Sequence, residues 1–223
     1  MLNIASFRRR LLRWLALNAV IGTVLFAIAG RWRDPWLWAY VTVVLGLSLY
    51  PTLRLDDDLA RERFRPPEQG ADARPLRAIR LIALAHLVIG ALDGGRWHLT
   101  PVPDSLRLVG LVGMGASVLL VLRAMLTNRF FSAVVRIQRD RGHTVVDHGL
   151  YALIRHPGYA GMIPSMPFSA LALGSWIAFA LSLVYSAMML RRVMFEDAFL
   201  RANLDGYADY ASRVRFRLIP GVW

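Results

Sequence analysis

Long apolar runs separated by short polar segments constrain this chain more than any other feature of its sequence. Four of them cover Leu11 to Gly30, Trp36 to Leu53, Ala78 to Leu92 and Ser105 to Thr127. A helix that crosses about 30 Å of hydrocarbon needs roughly 20 mostly apolar residues, and only the third run is clearly shorter. Because lipid offers backbone groups no hydrogen-bond partners, the runs predict helices. The sequence therefore predicts an all-α integral membrane bundle.

A fifth apolar stretch, from Ala160 to Leu190, differs from the other four. Its 31 residues are too many for one comfortable crossing and too few for two full ones, and Gly174-Ser175 interrupts it. We expect a helical hairpin of two tilted or partial spans, followed from Arg191 by an amphipathic cytosolic tail. The predicted architecture is four spans plus a C-terminal hairpin, with residues 1–127 forming N-terminal transmembrane helices and residues 128–223 a second region.

The composition agrees with a membrane protein. Hydrophobic residues make up 56% and charged residues 19% of the chain, against roughly 45–50% and about 25% in ordinary globular domains. The chain has no cysteine, which excludes disulfides, thiolate metal sites and cysteine nucleophiles. All 27 basic residues other than histidine are arginines, and the net charge is +12. Because these arginines flank apolar runs, they indicate an anionic membrane surface rather than nucleic acid.

The distribution of arginine between loops predicts the orientation. The segments 31–35 and 93–104 hold three arginines, whereas the N-terminal tail, segments 54–77 and 128–159 and the C-terminal tail hold nearly all the others. Cytoplasmic loops of membrane proteins carry the excess of basic residues. We therefore expect a multi-pass protein of the cell membrane with both termini in the cytoplasm.

Several polar features of the first half have structural interpretations. Segment 54–77, with Asp56-Asp57-Asp58 and a break at Pro66-Pro67, is expected to be a solvated loop. His86 lies inside the third span without a second ligand at helical spacing, so no metal is expected there. It either hydrogen-bonds a neighbouring helix or lines a cavity. Close helix packing explains the glycines of the fourth span better than ligand binding does, and these are Gly110, Gly113 and Gly115.

The densest polar cluster runs from His143 to Tyr151 and continues in Arg155-His156-Pro157-Gly158-Tyr159. A helix can begin at Pro157 or Gly158, and its free N–H groups and positive dipole end would suit a carboxylate or a phosphate. Tyr151, His156 and Tyr159 supply the aromatic faces and hydrogen-bonding groups that adenine recognition requires. An interfacial loop with belt tyrosines and snorkelling arginines explains the same residues equally well.

A second cluster, Arg191-Arg192 and Glu196-Asp197, lies at the end of the last apolar stretch. Arg192 and Glu196 are four residues apart and therefore share one helix face. An exposed ion pair at the membrane boundary, worth a few tenths of a kcal/mol, accounts for this pair. Taken alone, the second cluster favours that structural interpretation.

Together the two clusters resemble the isoprenylcysteine carboxyl methyltransferase family, within the wider group that includes phospholipid N-methyltransferases. The resemblance covers residues 143–221, and the order and spacing of its pieces make it specific. The matching stretches are His143-Thr144-Val145-Val146, Gly149-x-Tyr151, Arg155-His156-Pro157-x-Tyr159, Arg192-x-x-x-Glu196-Asp197, Gly206-Tyr207-x-x-Tyr210 and Arg217-Leu218-Ile219-Pro220-Gly221.

The resemblance implies an S-adenosylmethionine-dependent methyltransferase whose cofactor pocket lies in the second region, residues 128–223. Glu196 would hold the cofactor from the last helix, and Arg192 would face the methyl acceptor and orient its carboxylate; these two are the expected catalytic residues. No metal is implied. The further residues expected to contact the cofactor are His143, Thr144, Val145, Val146, Tyr151, His156, Pro157, Gly158 and Tyr159.

The implied reaction moves a methyl group from a sulfonium to a nucleophile, and positioning is its main requirement. A carboxylate acceptor needs no general base, and Arg192 would hold it by a forked hydrogen bond. An amine acceptor would need Glu196 or a histidine to take a proton. We expect the acceptor to be a lipid, an isoprenoid or another amphiphile that enters from the bilayer. The alternatives are a membrane reductase that uses NADPH, whose site should carry more cations, and a non-catalytic membrane protein.

Overall fold

The computed structural model of the chain describes residues 4–64, 66 and 70–223, with the side chains of residues 4–7 excepted. Within these residues the regular structure is helical, and no β-strand is present. The predicted all-α fold is confirmed. Pro67, the second residue of the predicted break, lies outside the described residues.

Helices α1 to α8 follow one another along the described chain. Five of them, α1, α2, α4, α5 and α7, are long and apolar enough to cross a membrane. The bounds are α1 Ile4–Ala29, α2 Pro35–Arg54, α3 Asp57–Phe64, α4 Ala73–Leu92, α5 Asp104–Thr127, α6 Pro157–Leu173, α7 Trp176–Asn203 and α8 Tyr207–Arg213.

The last apolar stretch forms the predicted hairpin, which turns at Gly174-Ser175. Gly174 has a φ of +85°, a conformation that favours glycine, and the Ser175 side chain accepts the N–H of Ala178 to cap α7. Helix α6 has 17 residues and α7 has 28, or about 25 and 42 Å at 1.5 Å per residue. Helix α6 is shorter than a full crossing, and that it enters the membrane stays a prediction; α7 is long enough to cross because it continues into polar sequence after Leu190.

The interpretation of segment 54–77 as a solvated loop was wrong. Residues Asp57–Phe64 form α3, and α4 begins at Ala73 rather than at the predicted Ala78. Tertiary contacts hold α3 in place: Leu59 is buried, and Glu62 is 2% exposed and paired with Arg136. A charged eight-residue helix of this kind has no hydropathy signal.

The two ends of the bundle differ in the groups that join the helices. At one end, which holds the arginine-rich segments, Arg10 donates to Leu55 O over 2.9 Å, and polar contacts connect the start of α4 with the end of α7. At the other end, Arg96 donates to Ile28 O over 2.7 Å, and Asp93 accepts the Ser175 hydroxyl over 2.6 Å. The predicted cytoplasmic segments therefore share one end. Which side of the membrane that end faces stays a prediction.

Helices α5 and α6 approach closely because glycine occupies their interface. A Cβ atom on Gly110 would lie 2.4 Å from the Ala172 nitrogen, and one on Gly113 would lie 2.5 Å from the Phe168 ring. The packing role predicted for these two glycines is confirmed. Gly115 has no atom within 4 Å of a Cβ and does not share that role.

His86 belongs to a buried polar chain between four helices. Its Nδ1 lies 3.2 Å from Ala178 O and its Nε2 lies 3.2 Å from Ser169 Oγ. Ser169 Oγ in turn lies 2.9 Å from the Tyr40 hydroxyl. Because the histidine is satisfied by its neighbours, the first of its two predicted interpretations holds.

Candidate functional site

A cavity of about 260 Å³ lies at the arginine-rich end of the bundle. Segment 128–156 forms one wall, and α3, α4, α6, α7 and α8 contribute the rest of the lining. All the predicted site residues except Pro157 line it, although they come from segments up to 53 residues apart between His143 and Glu196. Pro157 is buried as the first residue of α6 and positions that helix without facing the cavity.

The segment Thr144–Val146 lines the cavity and lies outside any helix. Within the part of the chain that the structure describes, its backbone N–H and C=O groups have no protein hydrogen-bond partner. Just before it, the His143 N–H donates to Gln138 O over 3.1 Å and fixes the direction of the segment. Because backbone polar groups require partners, this edge of the cavity is available to a ligand.

His143 is held neutral at the end of that segment. Its Nδ1 accepts the Gln138 N–H over 3.2 Å, which leaves the proton of a neutral ring on Nε2. Burial and the nearby charges of Arg136 and Arg141 lower the pKa of His143 to about 4. The Phe130 ring lies 4.5 Å from the imidazole, centroid to centroid. His143 therefore presents a neutral aromatic edge near pH 7.

The first turn of α6 offers an open backbone donor. The N–H groups of Tyr159 and Ala160 bond to His156 O, but that of Gly158 has no partner among the described residues. A Cβ on Gly158 would lie 2.6 Å from the Phe131 ring, so only glycine fits there without displacing Phe131. The helix dipole adds partial positive charge at this point. The turn is suited to an anionic ligand group.

Glu196 faces the cavity from α7 and accepts a hydrogen bond from the Tyr159 hydroxyl through Oε2. The Arg192 guanidinium lies 5.7 Å from the centroid of the Tyr159 ring. This places a carboxylate, a phenol and a guanidinium at the same side of the cavity.

The predicted surface pair between Arg192 and Glu196 was wrong. Arg192 instead donates through Nε to Asp72 Oδ2 over 2.7 Å and through Nη2 to Ala133 O over 2.8 Å. The side chains of Arg192 and Asp72 are 9% and 1% exposed, so this ion pair is buried. It connects α7 with the start of α4 and leaves Nη1 of Arg192 without a partner among the described residues.

Asp197 organises the floor of the site, a role that the sequence did not reveal. It is 2% exposed and takes a buried, two-pronged ion pair from Arg155 at 2.7 and 3.2 Å. Four more side chains surround the carboxylate: His156 next to Arg155, Arg201 on α7 itself, Tyr207 on α8 and Arg217 in the C-terminal tail. His156 thus lines the cavity while its Nε2 lies 3.3 Å from Asp197, which fixes the orientation of the ring.

Acidic residues of α3 hold the 128–146 segment. Glu62 accepts from Arg136 over 2.8 Å and from the Ser132 hydroxyl over 2.6 Å. Burial alone would raise the pKa of Glu62, but the hydrogen bonds from Arg136 and Ser132 outweigh burial and lower the pKa below its usual value. The carboxyl is therefore ionised. Asp58, predicted to be solvated, also pairs with Arg141.

Three carboxylates that hold the site together, Asp72, Glu62 and Asp197, were not predicted to do so from the sequence. Each partner lies far along the chain: Asp72 and Arg192 are 120 residues apart, and Glu62 and Arg136 are 74 apart. One local signal was present, because an aspartate ahead of Pro75 is typical of a helix N-terminus and could have moved the start of α4 to Ala73.

Comparisons with known proteins confirm the resemblance found in the sequence. Residues 109–202 match the model of the isoprenylcysteine carboxyl methyltransferase (ICMT) family. The match begins inside α5, earlier than the motifs predicted, because α5 carries no polar motif. It ends before the Gly206-Tyr207 and Arg217–Gly221 stretches.

Three curated relatives are similar over the same region. The "Probable protein-S-isoprenylcysteine O-methyltransferase" of Oryza sativa subsp. indica is 32% identical over 95 residues, which is 42% of this chain and 50% of the relative. The Schizosaccharomyces pombe protein-S-isoprenylcysteine O-methyltransferase is 33% identical over 86 residues, 38% of this chain and 36% of the relative. The Arabidopsis thaliana protein-S-isoprenylcysteine O-methyltransferase B is 30% identical over 88 residues, which is 39% of this chain and 45% of the relative. The chain spans about half or less of the length of these relatives.

Proposed function

We propose that this chain, whose residues 109–202 match the isoprenylcysteine carboxyl methyltransferase family, is a membrane methyltransferase that uses S-adenosylmethionine. The acceptor is a lipophilic molecule, isoprenoid or lipid-like, that is methylated on a carboxylate. One observation carries the proposal: the two polar clusters of the sequence line a single cavity. The names of the relatives, which describe O-methylation of an isoprenylcysteine, support the same reaction class.

The lining fits the chemistry of S-adenosylmethionine. The unpaired backbone groups of Thr144–Val146 would hold the edge of the adenine, and Tyr151 and His156 would supply aromatic surface. The Gly158 N–H at the start of α6 suits the carboxylate of the amino-acid part. Glu196 suits its ammonium group or the ribose hydroxyls. When bound, S-adenosylmethionine would supply a methyl carbon that is electrophilic because it is attached to a sulfonium.

The acceptor side of the cavity combines a cation with apolar surface. Arg192 is fixed by Asp72 and Ala133 and keeps Nη1 available for an acceptor carboxylate. Apolar side chains of α4 and α7 continue the wall toward the bilayer, among them Ile79, Ala83 and Met189. A hydrophobic tail there would leave the head group beside Arg192 and Glu196.

If the acceptor is a carboxylate, the residues of the site need only hold the acceptor and the methyl donor in position. The acceptor oxygen is already an anion, so it forms the O–CH₃ bond as the S–CH₃ bond breaks, and a neutral ester and a neutral thioether result. No residue has to remove a proton. An amine acceptor would instead assign proton removal to Glu196.

The site supports a mononucleoside-sized cofactor better than NADPH. Its volume of about 260 Å³ lies just below the range of roughly 300–1,000 Å³ that is usual for small-molecule sites. The arginines of the cofactor side are neutralised, since Arg136 pairs with Glu62 and Arg155 with Asp197. Of the described arginines on that side of the cavity, Arg136 and Arg155 are thus both occupied by carboxylates and offer no unpaired charge to an extra phosphate.

We further propose that the protein lies in the cell membrane and that its arginine-rich end, with both termini, faces the cytoplasm. The excess of arginine at that end supports this orientation, and S-adenosylmethionine is made in the cytoplasm.

Titration calorimetry of the purified full chain in detergent tests the cofactor. We expect micromolar binding of S-adenosylmethionine, about −8 kcal/mol for a Kd of 1 µM. Glu196→Gln and His143→Ala should weaken binding at least tenfold, whereas His148→Ala, at an exposed position outside the cavity, should not. Heat with NADPH and none with S-adenosylmethionine would contradict the proposal.

A further inference from the structure

Arg63 of α3 lines the cavity, and none of the described acidic residues pairs with it. Its guanidinium lies 5.5 Å from the centroid of the Phe131 ring. In the described ranges 4–64, 66 and 70–223, no carboxylate or carbonyl accepts a hydrogen bond from it. Burial and the positive charges of Arg192 and Arg80 lower the pKa of Arg63. The site thus holds a partly desolvated cation that has two further arginines, Arg192 and Arg80, near it.

The other deep arginines of the cavity differ from Arg63 because each is matched by a carboxylate. Arg136 pairs with Glu62, Arg155 with Asp197 and Arg192 with Asp72. Arg80, on α4, also lines the wall without an ion pair among the described residues, and its side chain is exposed. The uncompensated charge is therefore located between α3 and α4.

Part of the cavity that Arg63 lines is apolar. Leu76 and Ile79 of α4 are buried and line the same cavity, together with Ala83. A guanidinium next to such a surface matches a molecule with an oxyanion head and a hydrocarbon tail. Its planar fork binds a carboxylate or a phosphate through two parallel hydrogen bonds, and the low polarity of the surroundings strengthens them.

We propose that Arg63 binds the oxyanion of the acceptor head group and makes the enzyme selective for anionic amphiphiles. This inference rests on the proposed function and changes the expected division of roles. Arg192 already donates to Asp72 and Ala133 through Nε and Nη2, so it fixes the site, whereas the Arg63 guanidinium donates to no group of the described chain. Arg63 lies outside the segment 109–202 that matches the family.

The test compares binding of charged and neutral probes to the purified full chain in detergent, without cofactor. The probes are S-farnesylcysteine with its α-amine acetylated, the corresponding carboxamide, and farnesyl monophosphate. For the unmodified protein we expect the carboxylate or the phosphate to bind at least tenfold more tightly than the carboxamide. Arg63→Gln should reduce that ratio to about twofold or less, and Arg63→Lys should restore part of it.

Arg61→Gln is the matched control, since Arg61 lies on the same helix but is exposed and outside the cavity; it should keep the ratio. A stronger effect with the phosphate than with the carboxylate would identify the head group. The inference is overturned if the unmodified protein does not prefer an anion, or if Arg63→Gln keeps the preference while remaining folded by circular dichroism. Titration of the same preparations with S-adenosylmethionine separates this result from failure of the proposed function.

Discussion

Replacing Asp197 by asparagine removes the charge that joins four parts of the cofactor end. The carboxylate receives hydrogen bonds from Arg155 of the 128–156 segment, Tyr207 of α8 and Arg217 of the C-terminal tail, with distances between 2.7 and 3.2 Å. Asparagine has the same size, so no cavity is created. It keeps one acceptor oxygen but leaves the buried Arg155 without an anion.

The expected cost follows from the burial of the pair. The side chains of Arg155 and Asp197 are 2% and 3% exposed, and removing one partner of a buried pair costs about 3–5 kcal/mol. For a chain of this size, each kcal/mol lowers Tm by roughly 2–4 °C. Asp197→Asn should therefore lower Tm by roughly 6–20 °C. Binding of S-adenosylmethionine should weaken too, since His156 loses its orientation.

Thermal unfolding in detergent, followed by circular dichroism, measures this effect. Asp209→Asn is the control, because Asp209 is exposed and forms no ion pair among the described residues; it should leave Tm nearly unchanged. A double variant that adds Arg155→Met should lose less than the sum of the single losses. A Tm loss below about 2 °C for Asp197→Asn, corresponding to less than 1 kcal/mol, would refute the reasoning.

The same assays test three further features. Gly110→Ala should destabilise by about 1–3 kcal/mol through overpacking against α6, whereas Gly115→Ala should be neutral, because only the first Cβ meets neighbouring atoms; equal Tm values would contradict this. The pKa of His143, lowered from 6.5 to about 4, makes its neutral form stabilising above pH 6.5, and this contribution is lost as pH falls toward 4. The Tm difference between the unmodified chain and His143→Gln should therefore be largest above pH 6.5 and shrink on acidification, and a constant difference would be evidence against it. Asp72→Asn should release Arg192 and weaken S-farnesylcysteine binding more than cofactor binding; the reverse order in paired titrations would be inconsistent with the proposed roles.

Hydropathy was sufficient to predict the membrane helices. The runs that became α1, α2 and α5 were predicted to within a few residues, apart from the N-terminal extension of α1 to Ile4. The prediction failed at α3 and at the first turn of α4. At the start of α4, Arg74 and Arg77 lower the mean hydropathy below that of a membrane helix. Distant arginines hold both segments in place, since Glu62 of α3 pairs with Arg136 and Asp72, just before α4, pairs with Arg192.

The site shows the same division between local and distant information. The motifs identified residues that share the cavity, because the spacing within each motif reflects a local turn or helix. The motifs could not show that Arg192 pairs with Asp72, because only the packing of α4 against α7 brings the two together. The sequence spacing predicted that Glu196 pairs with Arg192, whereas in the folded chain Glu196 accepts a hydrogen bond from the Tyr159 hydroxyl. The proposed division of the chain at residue 127 stays a prediction, and the cavity takes lining residues from both sides of it.

Transfer of a labelled methyl group is the most direct measurement of the central claim. The purified chain would be incubated with methyl-labelled S-adenosylmethionine and acetylated S-farnesylcysteine, and in parallel with a membrane lipid extract, and the products analysed by mass spectrometry. We predict a base-labile methyl ester on a carboxylate amphiphile, formed by the unmodified chain and by His148→Ala but not by Glu196→Gln. Absence of label from every acceptor, in a preparation that is folded, would contradict the account.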